Sequence, residues 1–547
     1  METIDPTICY IKKEFHLKKV EIPEKNKEDS DEPPRKKQKK GGRNKKRPIF
    51  REAFDDKLCR SLVDGEDSNK CTRENCKFLH DVKSYMEKKS PDIAEKCPLY
   101  TTKKFCLYGI TCRFGKEHIT EDFKNVNASV RVENEQRVNL PHELQVQLRK
   151  KTYDFSSSES ILKSVSDLIS KTKDVGSCED DENIVTRPEE KKKIDFRNKL
   201  VLSPLTTVGN LPFRRICKEY GADITIGEMA CSVPLINGNL SEWALTRRHS
   251  SEDIFGIQIE GNNAKLITYA AQVLSETTDV DFIDLNIGCP IDLIFQQGGG
   301  SALLRRQTVL EHTVRSCSQV LKDKPFTVKT RTGIYANKLV AKELLPKLEK
   351  WGASAVTLHG RTKEQRYTKS ADWNYINECA SLVKEMPIIG NGDVLSLEDY
   401  QNIKKNYTNV SSIMIGRGAL IKPWIFKEIK DGKAYDISSQ ERLEMIQKYV
   451  NYGLECFGSD TKGVETTRRF LLEWLSFLYR YVPYGILEHP PQKINQRPEY
   501  DYYTGRDELE TLMTSRQSCD WVKISEMFLG KVPEGFTFIP KHKANSF

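Results

Sequence analysis

The chain has 547 residues, of which 38% are hydrophobic and 30% charged, with a formal net charge of +9 and 15 cysteines. Because a domain typically spans about 150 residues, this length favours three or four domains. No run of about 18 apolar residues is present, so a membrane-spanning protein is not expected. The N-terminus lacks the basic cluster and apolar core of a secretory signal, so we expect an intracellular protein. No feature points to an obligate protein partner.

The first 52 residues are expected to form a disordered basic tail. Residues 35–47, RKKQKKGGRNKKR, carry nine basic residues and no acidic one, so the rest of the chain has a formal charge of zero. Such a run is typical of a nuclear import signal or a nucleic-acid-binding arm, and also of a solvated tail that does neither. We expect the protein in the cytoplasm and the nucleus.

Residues 53–125 contain two Cys3His groups that predict zinc sites. An intracellular chain with an odd number of cysteines is not expected to rely on disulfides, whereas zinc prefers four thiolate and imidazole ligands in a tetrahedron. The predicted ligands are Cys59, Cys71, Cys76 and His80 (C-x11-C-x4-C-x3-H), followed by Cys97, Cys106, Cys112 and His118 (C-x8-C-x5-C-x5-H). In a short polar segment, two such groups indicate folds held by metal.

Each third cysteine is followed by a basic residue and then by phenylalanine, giving Lys77 and Phe78 in one group and Arg113 and Phe114 in the other. A phosphate-binding charge beside a ring on which a base can stack is typical of single-stranded RNA recognition. The groups resemble tandem CCCH zinc fingers, usually spaced C-x8-C-x5-C-x3-H. The first departs from that spacing in its first two gaps and the second in its last. A purely structural zinc knot is the alternative.

Two further segments flank a central domain. Residues 126–195 are polar with little periodicity and predict a mostly disordered linker, with a short helix near residues 140–148 as the exception. Residues 436–547 show apolar residues at helical spacing, which predicts a domain of packed amphipathic helices. We expect its aromatic stripe to be core: Phe470, Trp474, Phe477 and Tyr481. Its arginines could neutralise phosphates or form a solvated face: Arg468, Arg469 and Arg480.

Residues 196–435 alternate short, apolar, β-branched runs with helical patterns. Eight such runs end near Pro204, Gly227, Gln258, Asn286, Lys329, His359, Asn391 and Gly416. Eight β/α units predict an α/β fold of the TIM (β/α)8 barrel type. A doubly wound open sheet is the alternative, because the sequence does not reveal closure.

Polar residues recur where these runs end, and a parallel barrel gathers such strand ends on one face. They are Thr206, Glu228, Gln258, Asn286, Lys329, His359, Asn391 and Arg417. The turns at 391–393 (NGD) and 416–418 (GRG) suit a phosphate, which barrels often bind after strands 7 and 8. Pro204 could form the floor of the binding site, and the side-chain amide of Gln258 could form a hydrogen bond to the ligand. Lys329 could stabilise the anion of a reduced isoalloxazine. This pattern points to FMN.

Cys289 follows the fourth predicted strand, in the segment NIGCPID, at the expected mouth of the barrel. Pro290 stiffens this turn. Hydride addition to a conjugated ring needs a nearby proton donor, and a thiol near its free pKa stays protonated at neutral pH. We therefore predict that Cys289 is a general acid, with a packed loop cysteine as the alternative.

Together these motifs resemble the tRNA-dihydrouridine synthases. The resemblance is carried by LSPLT ending at Thr206, NIGCP around Cys289, VKTR around Lys329, LHGR around His359, NGD at Asn391 and IGRGAL at Gly416. Paired CCCH fingers ahead of the barrel are similar to the eukaryotic type-3 synthases, which reduce uridine 47 in the variable loop of tRNA.

The resemblance implies a flavin-dependent oxidoreductase. In such an enzyme NADPH or NADH reduces FMN, hydride passes to C6 of a flipped uracil, and Cys289 protonates C5. The implied FMN-binding residues are Pro204, Leu205, Thr206, Gln258, Lys329, His359, Asn391, Gly392, Asp393, Gly416 and Arg417. Asn286 and Arg331 would read the base, and the helical domain would grip tRNA. Messenger RNA is a further substrate that the sequence leaves open.

Two alternatives from other classes remain. One is a flavin barrel that acts on a small molecule, against which the zinc groups and the basic run argue. The other is an RNA-binding protein whose barrel has lost its chemistry, against which the presence of Cys289, Lys329 and His359 argues.

Overall fold

The computed structural model describes residues 5–16, 57–65, 71–126, 140–174, 194–365, 367, 369–500 and 502–541. Two compact units emerge: a barrel unit, Glu133–Ala434, and a terminal unit, which combines Met1–Val132 with Tyr435–Phe547. The basic run at 35–47 lies outside the described residues. Among the described helices, none has both the length and the apolar composition that crossing a bilayer requires.

Eight parallel strands close into a ring in the barrel unit. They are β1 Leu200–Leu202, β2 Ile224–Ile226, β3 Ile254–Glu260, β4 Phe282–Asn286, β5 Phe326–Arg331, β6 Ala355–His359, β7 Ile388–Asn391 and β8 Ser412–Ile415. Each strand pairs with the next along the chain, and β8 pairs with β1 through Ile415 opposite Leu202. A two-residue strand, Ala230–Cys231, extends the sheet beside the end of β3. The closed ring confirms the predicted TIM barrel and excludes the open sheet.

Side chains from strands around the ring fill the barrel interior. Val201, Ile224, Phe282, Ala355, Ile389 and Met414 belong to one buried apolar cluster. Phe282 occupies the space over Gly256, where an added Cβ would lie 2.3 Å from the ring. Parallel strands covered on both faces are expected to be almost wholly apolar, which is why the polar strand ends stand out.

Helices surround the strands. They are α1 His142–Lys150, α2 Ser156–Asp174, α3 Leu211–Glu219, α4 Ser232–Ile236, α5 Leu240–Trp243, α6 Ala264–Thr277, α7 Asp292–Gln296, α8 Gln307–Val320, α9 Ala341–Lys350, α10 Trp373–Ala380, α11 Leu397–Asn406, α12 Arg417–Ile421 and α13 Ile425–Asp431. Side-chain oxygens of Asn210, Asn263, Asp372 and Ser396 cap the first turns of α3, α6, α10 and α11. Such caps bind backbone N–H groups that the helix itself leaves unpaired.

The prediction of a mostly disordered linker over residues 126–195 is wrong for residues 156–174, where the 19-residue α2 was missed. Helix α1 confirms the short helix expected near residues 140–148. Leu162, Val165 and Ile169 are buried on α2, which packs against α6 and α8. Because these apolar residues are separated by serines and lysines, the segment has the composition of a linker. Residues 127–139 and 175–193 lie outside the described residues.

The N-terminal segment belongs to the terminal unit. Ile8–Cys9 pairs in parallel with Arg497–Pro498, and Cys9 and Ile11 are buried in a cluster with Tyr503. The prediction of a disordered tail over residues 1–52 is therefore wrong for residues 5–16. The partner strand lies so far along the chain that local composition does not reveal this pairing.

The C-terminal part of the terminal unit is helical, as predicted. Its helices are α14 Ser439–Phe457, α15 Thr461–Leu478, α16 Glu508–Thr514 and α17 Ser518–Leu529. The predicted core role of Trp474, Phe477 and Tyr481 is confirmed, since all three are buried. Arg468 is also buried, and it donates to the Leu529 carbonyl at 2.6 Å. Arg468 is thus a structural residue of the helical core, neither a phosphate contact nor part of a solvated face.

Candidate active site and metal centres

The predicted polar strand ends meet at one end of the barrel. In the parallel register, Asn286 at the end of β4 lies opposite Lys329 on β5. His359 at the end of β6 lies opposite both Arg331 and Asn391 on its two neighbours. These residues therefore occupy adjacent positions at the carboxyl edge, which is where barrel enzymes hold their sites.

A chain of hydrogen bonds fixes the loop that carries Cys289. The Asn286 Oδ1 atom accepts from the backbone nitrogens of Cys289 (2.8 Å) and Gly288 (3.1 Å). Its Nδ2 atom donates to Gln258 Oε1 at 2.8 Å, and Gln258 Nε2 donates to Asp284 Oδ2 at 2.7 Å. The position of Cys289 is thus tied to two neighbouring strands.

Asp284 anchors this chain and was not singled out by the sequence reasoning. It is 1% exposed, and its second oxygen accepts from Thr327 Oγ1 at 2.6 Å. Burial raises the pKa of this carboxyl group, while hydrogen bonds from Gln258 and Thr327 oppose the rise. A single acid inside the apolar run FIDLN was the available signal, because a buried carboxyl requires partners.

Cys289 itself is buried, with 7% of its surface exposed. Burial raises the pKa of the thiol, and Glu260 raises it further, whereas Arg331 and Lys329 lower it. The thiol is therefore protonated at neutral pH. A protonated sulfur at a barrel mouth can act as a general acid.

Four cationic side chains surround His359: Lys329, Arg331, Arg361 and Arg417. Burial lowers the pKa of His359 well below its usual range, and the four positive charges lower it further. The imidazole is consequently neutral. This concentration of positive charge at strand ends fits a bound phosphate or an anionic ring system.

Lys329 is the cation with the fewest internal contacts. Its side chain is partly exposed, and its Nζ atom has no hydrogen-bond or ion-pair partner among the residues that the structure describes. Burial lowers the pKa of Lys329 to about 8, with a further contribution from Arg331. The amine is thus largely protonated at neutral pH and can bind an anion.

Asp393 holds two of the guanidinium groups. Its Oδ2 atom accepts from Arg361 (2.5 Å) and from the Ala371 backbone nitrogen (2.7 Å), and its Oδ1 atom accepts from Arg417 (2.8 Å). Preceding it, Gly392 has a φ of +139°, and an added Cβ would lie 2.4 Å from that of Ala371. The NGD turn therefore orients cations in addition to offering backbone amides. Arg361 was missed as a site residue, although it lies within the LHGR motif.

Arg331 links two loops at the barrel mouth. It is 6% exposed, and it donates through Nε to the Gly288 carbonyl (2.9 Å) and through Nη1 to the Thr362 carbonyl (3.0 Å). Asn286 and Arg331, predicted to read a base, both bind the loop that carries Cys289. Their contact with substrate stays a prediction.

The remaining predicted cofactor residues lie at the ends of β1, β7 and β8. Pro204 and Leu205 are half-buried and Thr206 is exposed, just beyond β1. The Asn391 Nδ2 atom donates to the Met414 carbonyl at 2.8 Å. Gly416 precedes Arg417 at the start of α12. Their contact with a flavin likewise stays a prediction.

Both predicted Cys3His groups converge in the terminal unit. Within each group, the four ligand atoms lie within 4.8 Å of one another. The sulfur atoms of Cys59 and Cys76 are 3.7 Å apart, and those of Cys97 and Cys112 are 3.8 Å apart. A tetrahedron with zinc–sulfur bonds of about 2.3 Å has an edge of about 3.8 Å, so these separations fit zinc.

The second group also has an oriented histidine. The Nδ1 atom of His118 lies 3.2 Å from Asn125 Oδ1. Its Nε2 atom is buried and has no hydrogen-bond partner among the described residues. An imidazole that donates one N–H to an amide oxygen and turns its other nitrogen to the sulfurs is typical of a metal ligand.

The residues predicted to contact RNA differ in accessibility. Phe114 is 3% exposed, so it cannot stack on a base, and that prediction is wrong. Arg113 donates to the Pro91 carbonyl at 3.2 Å. Phe78 is half-buried against the core of the first group, and Lys77 is exposed. Only the first group therefore keeps an accessible charge beside a partly accessible ring.

Comparison with known proteins gives consistent results over almost the whole chain. "tRNA-dihydrouridine(47) synthase [NAD(P)(+)]-like" of Xenopus laevis is 48% identical over 570 residues, covering 98% of this chain and 88% of that protein. The Homo sapiens protein of that name is 48% identical over 551 residues, covering 92% and 84%. The Arabidopsis thaliana protein is 40% identical over 590 residues, covering 90% and 85%.

Similarity to solved structures is much weaker. Morphinone reductase in complex with tetrahydroNAD is 12% identical with a TM-score of 0.32, covering 43% of this chain and 87% of that one. The old yellow enzyme from Trypanosoma cruzi is 9% identical with a TM-score of 0.34, covering 46% and 92%. Scores at this level support no conclusion about the present chain. The profile of the family described as dihydrouridine synthase (Dus), in contrast, matches residues 201–477, and with the sequence identities above it establishes that the chain belongs to the dihydrouridine synthase family.

Proposed function

We propose that this chain reduces the C5–C6 double bond of uridine in tRNA with FMN as its cofactor. The observation that carries the proposal is the position of Cys289, a protonated thiol held by Asn286 within the ring of strand ends that includes Lys329. Relatives named as tRNA-dihydrouridine synthases, matched over almost the whole chain, support the choice of substrate.

The cationic strand ends are the proposed FMN site. Arg417, oriented by Asp393, would bind the phosphate, because a charge-assisted contact to an anionic group is strong. Lys329 would lie beside the ring system, and the neutral His359 would offer a ring nitrogen as a hydrogen-bond donor or acceptor. When bound, FMN supplies hydride to C6 of the uracil ring, with NADPH or NADH as its reductant.

Cys289 would supply the proton. After hydride reaches C6, the negative charge that develops at C5 takes the thiol proton, which completes the reduced ring and leaves a thiolate. Asn286 holds the backbone of Cys289, so the sulfur need not be oriented by the substrate. The uridine must leave its base stack to reach the mouth of the barrel.

Finer features of the proposed function have separate support. The names of the relatives support uridine 47 as the target and both nicotinamide cofactors as reductants. The sulfur separations and the oriented His118 support a zinc ion in each Cys3His group. Messenger RNA is proposed as a second substrate that the sequence leaves open, and the basic run at residues 35–47 supports a location in both cytoplasm and nucleus.

A direct experiment compares RNA from cells with and without this protein, mapping dihydrouridine at single-nucleotide resolution. Loss of dihydrouridine at position 47 of tRNA in cells lacking the protein is the expected result. The purified protein should absorb near 450 nm and oxidise NADPH faster when tRNA is added. A flavoprotein whose NADPH oxidation does not respond to tRNA would favour a small-molecule substrate and contradict the proposal.

A further inference from the structure

A buried carboxyl group lies near Cys289 and has no role in the site described so far. Glu260 is the last residue of β3 and is 6% exposed. Residues i and i+2 of a strand point to the same face, so its side chain follows that of Gln258 towards the barrel mouth. No cation forms an ion pair with Glu260 in the part of the chain that the structure describes.

Two consecutive glycines bring Glu260 close to Cys289. A Cβ placed on Gly299 would lie 2.4 Å from Glu260 Oε2, so the carboxyl group packs directly on this backbone. A Cβ placed on Gly300 would lie 3.0 Å from the Cβ of Cys289. Ser301 fixes the same loop by donating its hydroxyl to the Cys289 carbonyl at 2.9 Å. The carboxyl group and the thiol therefore flank one turn of backbone.

A second cysteine completes the cluster. Cys231 lies opposite Glu260 in the sheet, and its thiol interacts with the Glu260 carboxyl group. Its backbone nitrogen donates to Glu242 Oε2 at 2.9 Å. Burial raises the pKa of Glu260 and of Glu242, and it raises that of Cys231 to about 12. Cys231, Glu242 and Cys289 are the titratable groups that face Glu260, and Lys329 and Arg331 also face the Cys289 thiol.

We propose that Glu260 returns a proton to Cys289 after each turnover. Protonation of uracil C5 breaks the sulfur–hydrogen bond of Cys289 and leaves a thiolate. The Glu260 carboxylic acid then passes its proton to that sulfur through an intervening water molecule, and the resulting carboxylate takes a proton from bulk water. No electrons are transferred in these steps. This proposal depends on the proposed function for the identity of the substrate. The proximity of Glu260 and Cys289 does not depend on it.

Two properties favour this transfer over a purely structural carboxyl group. Burial raises the pKa of Glu260, which favours the protonated form that can donate. A carboxylic acid is also a stronger acid than a thiol, so transfer to the thiolate is downhill. A residue that only supported the loop would need no acidic proton, and glutamine at the same position would serve equally well.

The test compares Glu260→Gln with wild type in the first turnover and in steady state. A pre-reduced variant already carries the Cys289 proton, so one dihydrouridine per flavin should form at the wild-type rate. Later turnovers should slow by about 10-fold or more, since general acid–base catalysis contributes roughly 10²–10⁴-fold. Formate should restore the steady-state rate of Glu260→Ala, where the smaller side chain leaves room for it. Glu343→Gln, at an exposed position of α9 outside this cluster, is the matched control and should retain the wild-type rates.

A second readout does not need turnover. The rate at which iodoacetamide alkylates Cys289, followed by peptide mass spectrometry across pH, reports the pKa of that thiol. In the pH range where the Cys289 thiol ionises, Glu260, the stronger acid, has already lost its proton. Glu260→Gln then removes a neighbouring negative charge and stabilises the thiolate, so the alkylation profile should shift to lower pH. An unchanged profile together with an unchanged steady-state rate would overturn the proposal, and so would equal slowing of the first turnover. If wild type formed no dihydrouridine, the proposed function would fail, while the alkylation profile would still test the coupling.

Discussion

The side chain of Asn286 holds the backbone of Cys289, with 2.8 Å between Asn286 Oδ1 and the Cys289 nitrogen. The strand that ends at Asn286 thereby determines where the thiol lies. Asn286 also donates to Gln258 on β3. The loop that carries the proposed general acid Cys289 is therefore hydrogen-bonded to the neighbouring strand β3. Variants of Cys289, Asn286, Arg417 and Lys329 test this site and its cations.

Cys289→Ala should retain FMN and bind tRNA, yet lose about 10²-fold or more in the rate of dihydrouridine formation, because general acid catalysis typically contributes that much. Reduction of the flavin by NADPH should persist, since the thiol takes no part in it. Rapid-mixing absorbance at 450 nm separates flavin reduction from RNA reduction. An alanine variant that forms dihydrouridine at the wild-type rate would remove Cys289 from the mechanism.

Asn286→Ala should slow dihydrouridine formation while flavin remains bound. Two backbone N–H groups would lose their acceptor, and each buried unsatisfied donor costs about 1–3 kcal/mol, so the loop that carries Cys289 should shift. Asn286→Asp keeps the acceptor for both backbone N–H groups, although it replaces the donor to Gln258 with a charged oxygen, so it should be impaired less. Single-turnover rates of the two variants test this order, and equal rates would mean that the contact with Gly288 and Cys289 does not matter.

Arg417→Ala should release FMN during purification. The substitution removes a cation from the proposed phosphate site and also leaves Asp393 with one guanidinium partner fewer. The ratio of absorbance at 450 nm to that at 280 nm measures retention. Lys350→Ala, an exposed lysine at the end of α9, is the control and should keep its flavin. Full retention by Arg417→Ala would show that this arginine does not hold the cofactor.

Affinity for FMN should fall as pH rises through the pKa of Lys329, which burial lowers to about 8. Below that pH the amine is a cation and attracts the anionic cofactor; above it the amine is neutral and the attraction is lost. Titration of the apoprotein with FMN between pH 7 and pH 9, followed by fluorescence quenching, measures the change. Lys329→Met should bind more weakly at pH 7 and lose most of the pH dependence.

Cys106→Ser should reduce the zinc content from two ions to one per chain and destabilise the terminal unit. Its sulfur is buried in the second Cys3His group, which packs at Ser459 of the helical part. Metal analysis and thermal unfolding measure the two effects, since binding energy in such sites is folding energy. Cys519→Ser removes an exposed cysteine outside both groups and should leave the zinc content unchanged. Two zinc ions in Cys106→Ser would contradict the assignment of ligands.

Sequence reasoning located the strand ends because their chemistry departs from that of the strands. Gln258, Lys329 and His359 each follow or interrupt a buried apolar run, and the barrel brings those positions to one edge. The supporting residues were harder to find. Asp284 shows in the sequence only as a single acid inside an apolar run, and Glu260 lies at the end of a strand, where only packing against a specific neighbour distinguishes a buried carboxyl group from a surface one.

Contacts between distant segments account for the wrong predictions. Phe114 resembles a base-stacking residue when only the spacing from Cys112 is considered, but it is buried within the folded terminal unit. Helix α2 has three buried apolar residues among polar ones, and their partners on α6 and α8 lie about 100 residues or more further along the chain. Local composition alone predicts that such segments are solvated, because the residues that cover them lie elsewhere in the sequence.

The pairing of Ile8–Cys9 with Arg497–Pro498 imposes an order on biosynthesis. The ribosome releases the entire barrel before it releases the partner of the first strand, so the barrel is an insertion within a domain that is completed last. At about 5–20 residues per second, the N-terminal strand and the second Cys3His group wait tens of seconds for the helices that cover them. Premature termination near residue 435 would thus leave a complete barrel joined to an incomplete terminal unit. The uncovered apolar surface of that unit would be exposed to chaperones and proteases.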